Sequence, residues 1–186
     1  MNDEVLVRLR ELVSAEGGLL AAQLAAAADG DRDRDGERGE EEFSPSAALA
    51  HAPRTSANQA EYELLVEAIY EGYLLHYGRP RVLVSAEADL SLLAGDRLYA
   101  LGLARLVALG DTLAVAELAD TITLCALAHG ARDAQLAQAV WAAGTRAVGW
   151  GASERHRRAK ELVLAGAPEA VEAMRASAGA PVYDKT

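Results

Sequence analysis

The sequence from residue 58 onward is a succession of apolar patterns with helical spacing, each ended by glycine, proline or a short polar turn. The first pattern places Leu64, Ala68 and Leu75 on one face, and Gly78 and Pro80 then stop the helix. The predicted helices span residues 58–76, 89–109, 112–129, 131–149, 154–165 and 168–177. Because the loops between them are short, the pattern predicts an all-α fold, an antiparallel helical bundle.

The composition favours the same fold class. Apolar residues make up 51% of the chain, and most of them are alanine and leucine, which are strong helix formers. Valine and isoleucine are sparse and scattered, which argues against a sheet. The short run Arg-Val-Leu-Val at 81–84 has no partner run, so we interpret it as a loop.

The chain divides into four segments by sequence. Residues 1–28 are predicted to form an N-terminal amphipathic helix, which Gly17-Gly18 is expected to break or kink. Residues 29–57 hold charges, glycines and two prolines, and this stretch is too long for an ordinary connection in a compact domain. We therefore predict a flexible acidic linker at 29–57, the helical bundle domain at 58–178 and a loose tail at 179–186.

The charge of the chain is strongly acidic and unevenly spread. The formal net charge is −10, which argues against nucleic-acid binding by general electrostatic attraction. Residues 29–42 alone contain eight acids and three arginines, and so carry half of this excess.

A cytoplasmic location is the default expectation. The charged N-terminus has no signal-peptide core, and no run of about 18 apolar residues is free of charge, so no membrane span is expected. Cys125 is the only cysteine, which excludes a disulfide within the chain, and its apolar surroundings predict a buried thiol. The four histidines lack metal-ligand spacing, and no cofactor is predicted.

The acidic segment contains a letter-for-letter match to the calcium-loop pattern. The candidate metal ligands are Asp31, Asp33, Asp35 and Glu42. Arg38 stands where the pattern usually has an aliphatic residue, and Pro45 follows where a helix should leave the loop. No second loop is present to pair with this one. We therefore interpret the match as a solvated linker and keep calcium binding as the alternative.

Residues 59–129 resemble the central helices of the polyprenyl (trans-isoprenyl) diphosphate synthase family. The resemblance is carried by Leu74-Leu75-His76 and by Leu93-Ala94-Gly95-Asp96, which is followed by apolar residues. In that family, a helix that ends in a Leu-(Leu/Ile)-His-Asp-Asp type motif precedes a helix that begins with Leu-Ala-Gly-Asp. The resemblance implies part of the isoprenoid synthase fold.

The chain departs from the family at the positions that carry its chemistry. In the family, aspartates after the histidine bind magnesium and the substrate diphosphate, whereas here residues 77–80 are Tyr-Gly-Arg-Pro. The upstream basic glycine-containing motif and the second aspartate-rich motif are also absent from this sequence. Ionisation of an allylic diphosphate would therefore lack its electrostatic support.

The resemblance consequently implies a fold rather than the activity. We expect a non-catalytic, synthase-like helical subunit that forms a homodimer or partners a catalytic prenyl synthase in a hetero-oligomer. The alternatives are a binder of an apolar, isoprenoid-like or lipid-like ligand between helices, and a divergent prenyl-transfer enzyme.

Candidate ligand-binding residues lie at the end of the first bundle helix and on the next helix. They are His76, Tyr73, Asp96 and Tyr99. The structural interpretation, which we favour, is that His76 satisfies a helix C-terminus and that Asp96 pairs with Arg97 or Arg105 or makes a hydrogen bond between helices. The basic run 154–160, Glu-Arg-His-Arg-Arg-Ala-Lys, is either a solvated helix face or a surface for a diphosphate or an acidic segment.

Overall fold

The computed structural model describes residues 2–30, 43–83 and 87–179. Within these ranges the protein has nine α-helices, a short 3-10 turn at Ser56–Asn58 and no β-strand. The helices are α1 (Asn2–Glu16), α2 (Gly18–Gly30), α3 (Pro45–Leu49), α4 (Gln59–Tyr77), α5 (Ala88–Ala108), α6 (Thr112–Gly130), α7 (Ala134–Trp150), α8 (Glu154–Leu164) and α9 (Ala170–Gly179). The predicted all-helical class is confirmed for the described residues.

The helices predicted from residue 58 onward are all present, with ends that differ by three residues or fewer. Short polar side chains fix three of the starts. Asp111, Asp133 and Ser153 accept hydrogen bonds from backbone N–H groups three residues ahead, at 3.0, 2.9 and 3.1 Å. Each such cap is worth about 1 kcal/mol to its helix. The second of these helices was predicted to start at residue 89, but α5 begins one residue earlier, so Asp89 lies inside its first turn.

The N-terminal segment is broken where its two glycines stand. Gly17 and Gly18 have φ angles of 69° and 56°, a conformation that costs little only for glycine. The single helix predicted for residues 1–28 is therefore two helices, α1 and α2.

The segment predicted to be a flexible linker is structured over its described part, residues 43–57. Leu49, Ala52 and Thr55 are fully buried, and α3 lies within this stretch. The prediction was wrong here because the alanines and serines after residue 43 were read only as loop formers. The calcium-loop residues Asp31, Asp33, Asp35 and Glu42 lie outside the described residues, and so does the tail from 180 to 186.

The chain forms two compact units. Unit 1 comprises residues 1–47 and 60–105, and unit 2 comprises residues 48–59 and 106–186. The division falls within α5 and so crosses the segment 58–178 that the sequence predicted as one domain.

The core of unit 1 combines apolar faces of α1, α2, α4 and α5 with the segment before α5. Its buried members include Leu9, Val13, Leu20, Leu64, Ala68, Val82, Leu83, Ala94 and Leu98. α4 and α5 approach each other at backbone distance at two glycines. A Cβ on Gly72 would lie 2.9 Å from the Gly95 carbonyl oxygen, and a Cβ on Gly95 would lie 2.9 Å from that of Gly72. Glycine at both positions therefore permits the helix contact.

The core of unit 2 is built mainly from α6 and α7, with α8 and α9 packed on them. Trp141 and Leu118 are buried at its centre, and Cys125 is buried with its Sγ 3.7 Å from the Ala137 carbonyl oxygen. The predicted buried thiol is confirmed, and burial raises the pKa of Cys125. The segment before α4 joins this core through Arg54, which donates to both Asp111 carboxylate oxygens at 2.9 and 3.0 Å.

α6 is long and apolar enough, among the described helices, to cross a membrane by length and composition alone. About 33% of its most apolar window is buried in the structure. A single helix of this kind is weak evidence, since the core helix of a globular unit passes the same test. The expectation of no membrane span stays a prediction.

Candidate functional site

The residues predicted as a ligand site meet at the C-terminal end of α4. The His76 ring stacks on Tyr99 of α5, with centroids 5.3 Å apart and planes 5° apart. Its Nε2 lies 3.2 Å from Asp96 Oδ1. Tyr73 joins the group through Tyr77, with ring centroids 5.6 Å apart. Sequence spacing alone could not show this meeting, which depends on how α4 crosses α5.

The contacts of Gly95 give a structural reason for the glycine in Leu93-Ala94-Gly95-Asp96, one of the two motifs that carry the family resemblance. A Cβ at this position would lie 2.6 Å from His76 Cδ2, so the absence of a side chain lets the imidazole lie flat against α5. Asp96 then faces the ring, whereas the arginines proposed as its partners bond elsewhere. Arg97 pairs with Glu16 at 3.0 Å and Arg105 with Glu61 at 3.3 Å. The predicted pairing of Asp96 with an arginine was wrong, whereas the alternative of a contact between helices agrees with its position beside His76.

The cluster around His76 offers few groups for catalysis or for metal binding. It offers one imidazole and one carboxylate that is 68% exposed, together with phenol rings. Among the described residues, no group of three or more His, Cys, Asp or Glu side chains is placed to hold a metal ion. The geometry therefore suits contact with an aromatic or polar ligand better than diphosphate ionisation, which needs metal-bound carboxylates.

Unit 1 also contains a buried charge cluster that the sequence reading missed. Glu67 and Glu71 on α4 are both fully buried, and Arg81 lies against them. Arg81 Nη2 donates to Glu67 at 2.6 Å, and its Nε lies 3.5 Å from Glu71. Its guanidinium also lies 4.9 Å from the centroid of the Tyr70 ring. Burial lowers the pKa of Arg81, but the two carboxylates outweigh this effect and the pKa is raised.

The two carboxylates tie chain segments to α4 as well as holding the guanidinium. Glu71 Oε1 accepts the backbone N–H groups of Arg81, Val82 and Leu83 at 2.9, 2.7 and 3.0 Å. Glu67 Oε1 accepts from the Ser46 backbone N–H at 3.0 Å and from the Ser44 hydroxyl at 3.1 Å. Both carboxylates are therefore occupied by structural bonds.

The signal for this cluster was present in the sequence. Glu67 and Glu71 are spaced i, i+4 among the apolar residues in the middle of α4, so they share a face with core residues. A charged pair at such positions is rarely buried without a cation. Arg81 stands in the run interpreted only as loop, and for this reason it was not considered as that cation.

Unit 2 contains a second polar cluster, centred on Glu117 of α6. Its carboxylate lies 3.0 Å from His156 Nε2 and accepts from Lys160 Nζ at 3.0 and 3.1 Å. Lys160 also donates to Asp120 at 2.6 Å. The basic run 154–160 is therefore partly neutralised within unit 2. His156 is buried, and its other ring nitrogen lies 3.3 Å from the Ser177 hydroxyl.

The order Ser177, His156, Glu117 has the residue types of a hydrolase triad but not its arrangement. Ser177 is only 5% exposed, and its hydroxyl donates to the Met174 carbonyl oxygen at 2.8 Å. The histidine is therefore not placed to take the hydroxyl proton, and the serine is not presented to a substrate. We interpret the cluster as structural.

The cluster shifts the ionisation of its members. Burial raises the pKa of Glu117, but its bonds to His156 and Lys160 outweigh that effect and the pKa is lowered from 4.5. Burial lowers the pKa of Lys160, but its bonds to Asp120 and Glu117 outweigh that effect and the pKa is raised from 10.5.

These shifts predict how the stability of unit 2 depends on pH. Because the pKa of Glu117 is lower when folded, its stabilising contribution is present above about pH 4.5 and is lost as the pH falls through the folded value. The contribution of Lys160 is present below about pH 10.5 and is lost as the pH rises through its folded value. Trp141 and Trp150 both lie in unit 2, so tryptophan fluorescence follows its thermal unfolding.

The Glu117→Gln variant is expected to be less stable than the parent at neutral pH and to lose less stability on acidification to about pH 3. Glu169→Gln, at an exposed position on the same unit, should follow the parent curve. Equal acid sensitivity of the parent and Glu117→Gln would contradict the assignment of this carboxylate.

Comparison of the chain with protein-family models, with curated proteins and with solved structures finds no match. The resemblance of residues 59–129 to the polyprenyl synthases therefore rests on the residues of this chain alone.

Proposed function

We propose that the protein is a non-catalytic, polyprenyl-synthase-like helical subunit that dimerises or partners a catalytic prenyl synthase in the cytoplasm. In this proposal the helices carry part of the isoprenoid synthase fold and supply an interaction surface rather than an active centre. The observation that carries the proposal is an exposed apolar surface on a unit with no net charge.

The net negative charge of the chain belongs entirely to unit 1. Residues 48–59 and 106–186 contain nine Lys or Arg and nine Asp or Glu, so unit 2 has a formal charge of zero. The whole excess of −10 therefore belongs to unit 1. A surface near zero net charge lacks the self-repulsion that opposes association.

Unit 2 also exposes large apolar side chains around the turn between α5 and α6. We call Val107, Leu109 and Leu113 the turn patch. They are 56%, 38% and 67% exposed, although they lie within seven consecutive residues. Contiguous exposed apolar patches mark protein interaction sites, and three exposed apolar side chains so close in sequence are a candidate for such a patch. The turn patch supports association through unit 2.

The end of α4 supports the non-catalytic part of the proposal. The positions after His76 hold no carboxylate, and the nearby buried acids Glu67 and Glu71 are occupied by Arg81 and backbone N–H groups. No pair of free carboxylates is therefore available on this part of α4 to bind a metal–diphosphate complex.

Mixing experiments with a purified polyprenyl diphosphate synthase test the proposal. We expect this chain to bind the synthase and to change the chain length of its products, while making no prenyl product alone. The Leu113→Glu variant should weaken the association at least about tenfold, because it places a charge in the turn patch.

Leu93→Glu is the matched control, since Leu93 is a similarly exposed leucine (55%) that lies in unit 1. This variant should associate as the parent does. Equal weakening by both substitutions would exclude the turn patch as the docking surface, and prenyl product from the isolated chain would overturn the non-catalytic assignment.

A further inference from the structure

A cavity of about 310 Å³ lies between α6 and α8 in unit 2. Its apolar lining includes Leu124, which is buried, and Leu164, which is 64% exposed at the end of α8. Four charged side chains also line it: Asp120 on α6 and Arg157, Lys160 and Glu161 on α8. Although most of its lining residues are charged, most of the surface that they present to the cavity is apolar, and this surface and the size are those of a small-molecule site.

Both cations of the cavity are already paired with carboxylates. Lys160 makes three bonds, two to the Glu117 carboxylate oxygens and one to Asp120. Arg157 donates from Nε and Nη2 to Glu154 and from Nη1 to the Ala152 carbonyl oxygen, and these bonds use three of its five N–H groups. An anionic ligand would therefore have to break the Lys160 bonds or share the Arg157 guanidinium with Glu154.

The two acids, by contrast, have free acceptors. Among the described residues, the Glu161 carboxylate has no hydrogen bond or ion pair. Asp120 bonds Lys160 only through Oδ2, which leaves Oδ1 free. Counted with Glu117 and Glu154, which neutralise the two cations, the charges around the cavity sum to −2. The C-terminal end of the α8 dipole adds negative potential beside Leu164.

We propose that this cavity binds a small organic cation, a primary amine on an apolar body. The ammonium group donates to Glu161 and to Asp120 Oδ1, and the apolar body covers Leu124 and Leu164. This ligand class differs from a diphosphate or an isoprenoid chain. The inference does not rest on the proposed function, because all residues of the cavity belong to unit 2 of a single chain and none is in the turn patch.

The test is a titration of the full-length chain with 2-phenylethylamine, followed by NMR of the leucine methyl groups at neutral pH, where the amine is protonated. We expect saturable shifts at the methyls of Leu124 and Leu164. The isosteres 2-phenylethanol and 3-phenylpropionate have the same apolar body with a neutral and an anionic head, and each should bind more weakly.

Glu161→Gln should lower the affinity for the amine about fivefold, since it removes one charge-assisted hydrogen bond at an exposed position. Glu172→Gln, an exposed acid on α9 outside the cavity, should leave the affinity unchanged. Equal affinity for the amine and the propionate, equal affinity of the parent and Glu161→Gln, or no saturable shift at all would each overturn the proposal.

Discussion

Replacing Arg81 by methionine is expected to lower the free energy of unfolding of unit 1 by about 3–5 kcal/mol. The substitution keeps a long side chain but leaves the fully buried carboxylates of Glu67 and Glu71 without their cation. A buried unpaired charge costs far more than the net contribution of the original pair, because it keeps its desolvation penalty. Urea unfolding of parent and variant measures the loss.

The tyrosines allow unit 1 to be followed directly. Five of the six lie in unit 1 and both tryptophans lie in unit 2, so the tyrosine bands of the near-ultraviolet circular dichroism, once separated from the tryptophan bands, report the unfolding of unit 1. Arg97→Met is the matched control, because Arg97 forms an exposed ion pair with Glu16 on the same unit. It should cost about 1 kcal/mol or less. An Arg81→Met loss as small as that of the control would contradict the buried-charge account.

Gly95→Ala is expected to destabilise unit 1 by about 1–3 kcal/mol. Its Cβ would lie 2.6 Å from the His76 ring and 2.9 Å from the Gly72 carbonyl oxygen, so both the imidazole and the helix backbone must shift. The stacking of His76 on Tyr99 should be lost as well, which would appear as a changed tyrosine signal. Urea unfolding measures the stability change, and the near-ultraviolet spectrum measures the ring contact.

Gly130→Ala is the control for the intrinsic preference of a helix for alanine. A Cβ on Gly130, the last residue of α6, meets no atom within 4 Å. This variant should be as stable as the parent or slightly more stable. A Gly95→Ala variant that behaves like Gly130→Ala would show that α4 and α5 do not approach as closely as described.

The helices were the most predictable part of the structure because they follow from local signals. The apolar spacing in α4 and the stop at Gly78–Pro80 fixed one helix to within a residue at each end. The cap at Ser153 was also predictable, because the hydroxyl of a serine before a helix accepts a backbone N–H. The break at Gly17–Gly18 was anticipated only as an option, since its geometry depends on packing.

Contacts between distant segments were not predictable from one sequence. Residues 43–57 resemble a linker by composition, but Glu67 binds Ser44 and Ser46 and thereby orders the start of the segment. The partner of Asp96 is His76 rather than a neighbouring arginine, because α4 supplies the nearer group across the glycine contact. Such pairings are set by helix crossing, on which local patterns carry no information.

In the candidate site, too, the residues were predictable from the sequence but the contacts between them were not. The sequence selected His76, Tyr73, Asp96 and Tyr99, and the structure places them around the end of α4. The cavity between α6 and α8 was not anticipated, although its basic residues Arg157 and Lys160 were noted as a run. Their acidic partners come from α6 and from the preceding turn of α8, and that pairing decides which groups remain free for a ligand.

Size-exclusion chromatography with light scattering tests the central claim most directly. The chain is run alone over a range of concentrations and again with a purified polyprenyl diphosphate synthase. We predict either a mass of about twice the chain's 19.6 kDa when it is alone or co-elution with the synthase as a larger complex. A constant mass of 19.6 kDa alone, with no shift on mixing, would contradict the account of this protein as an associating helical subunit.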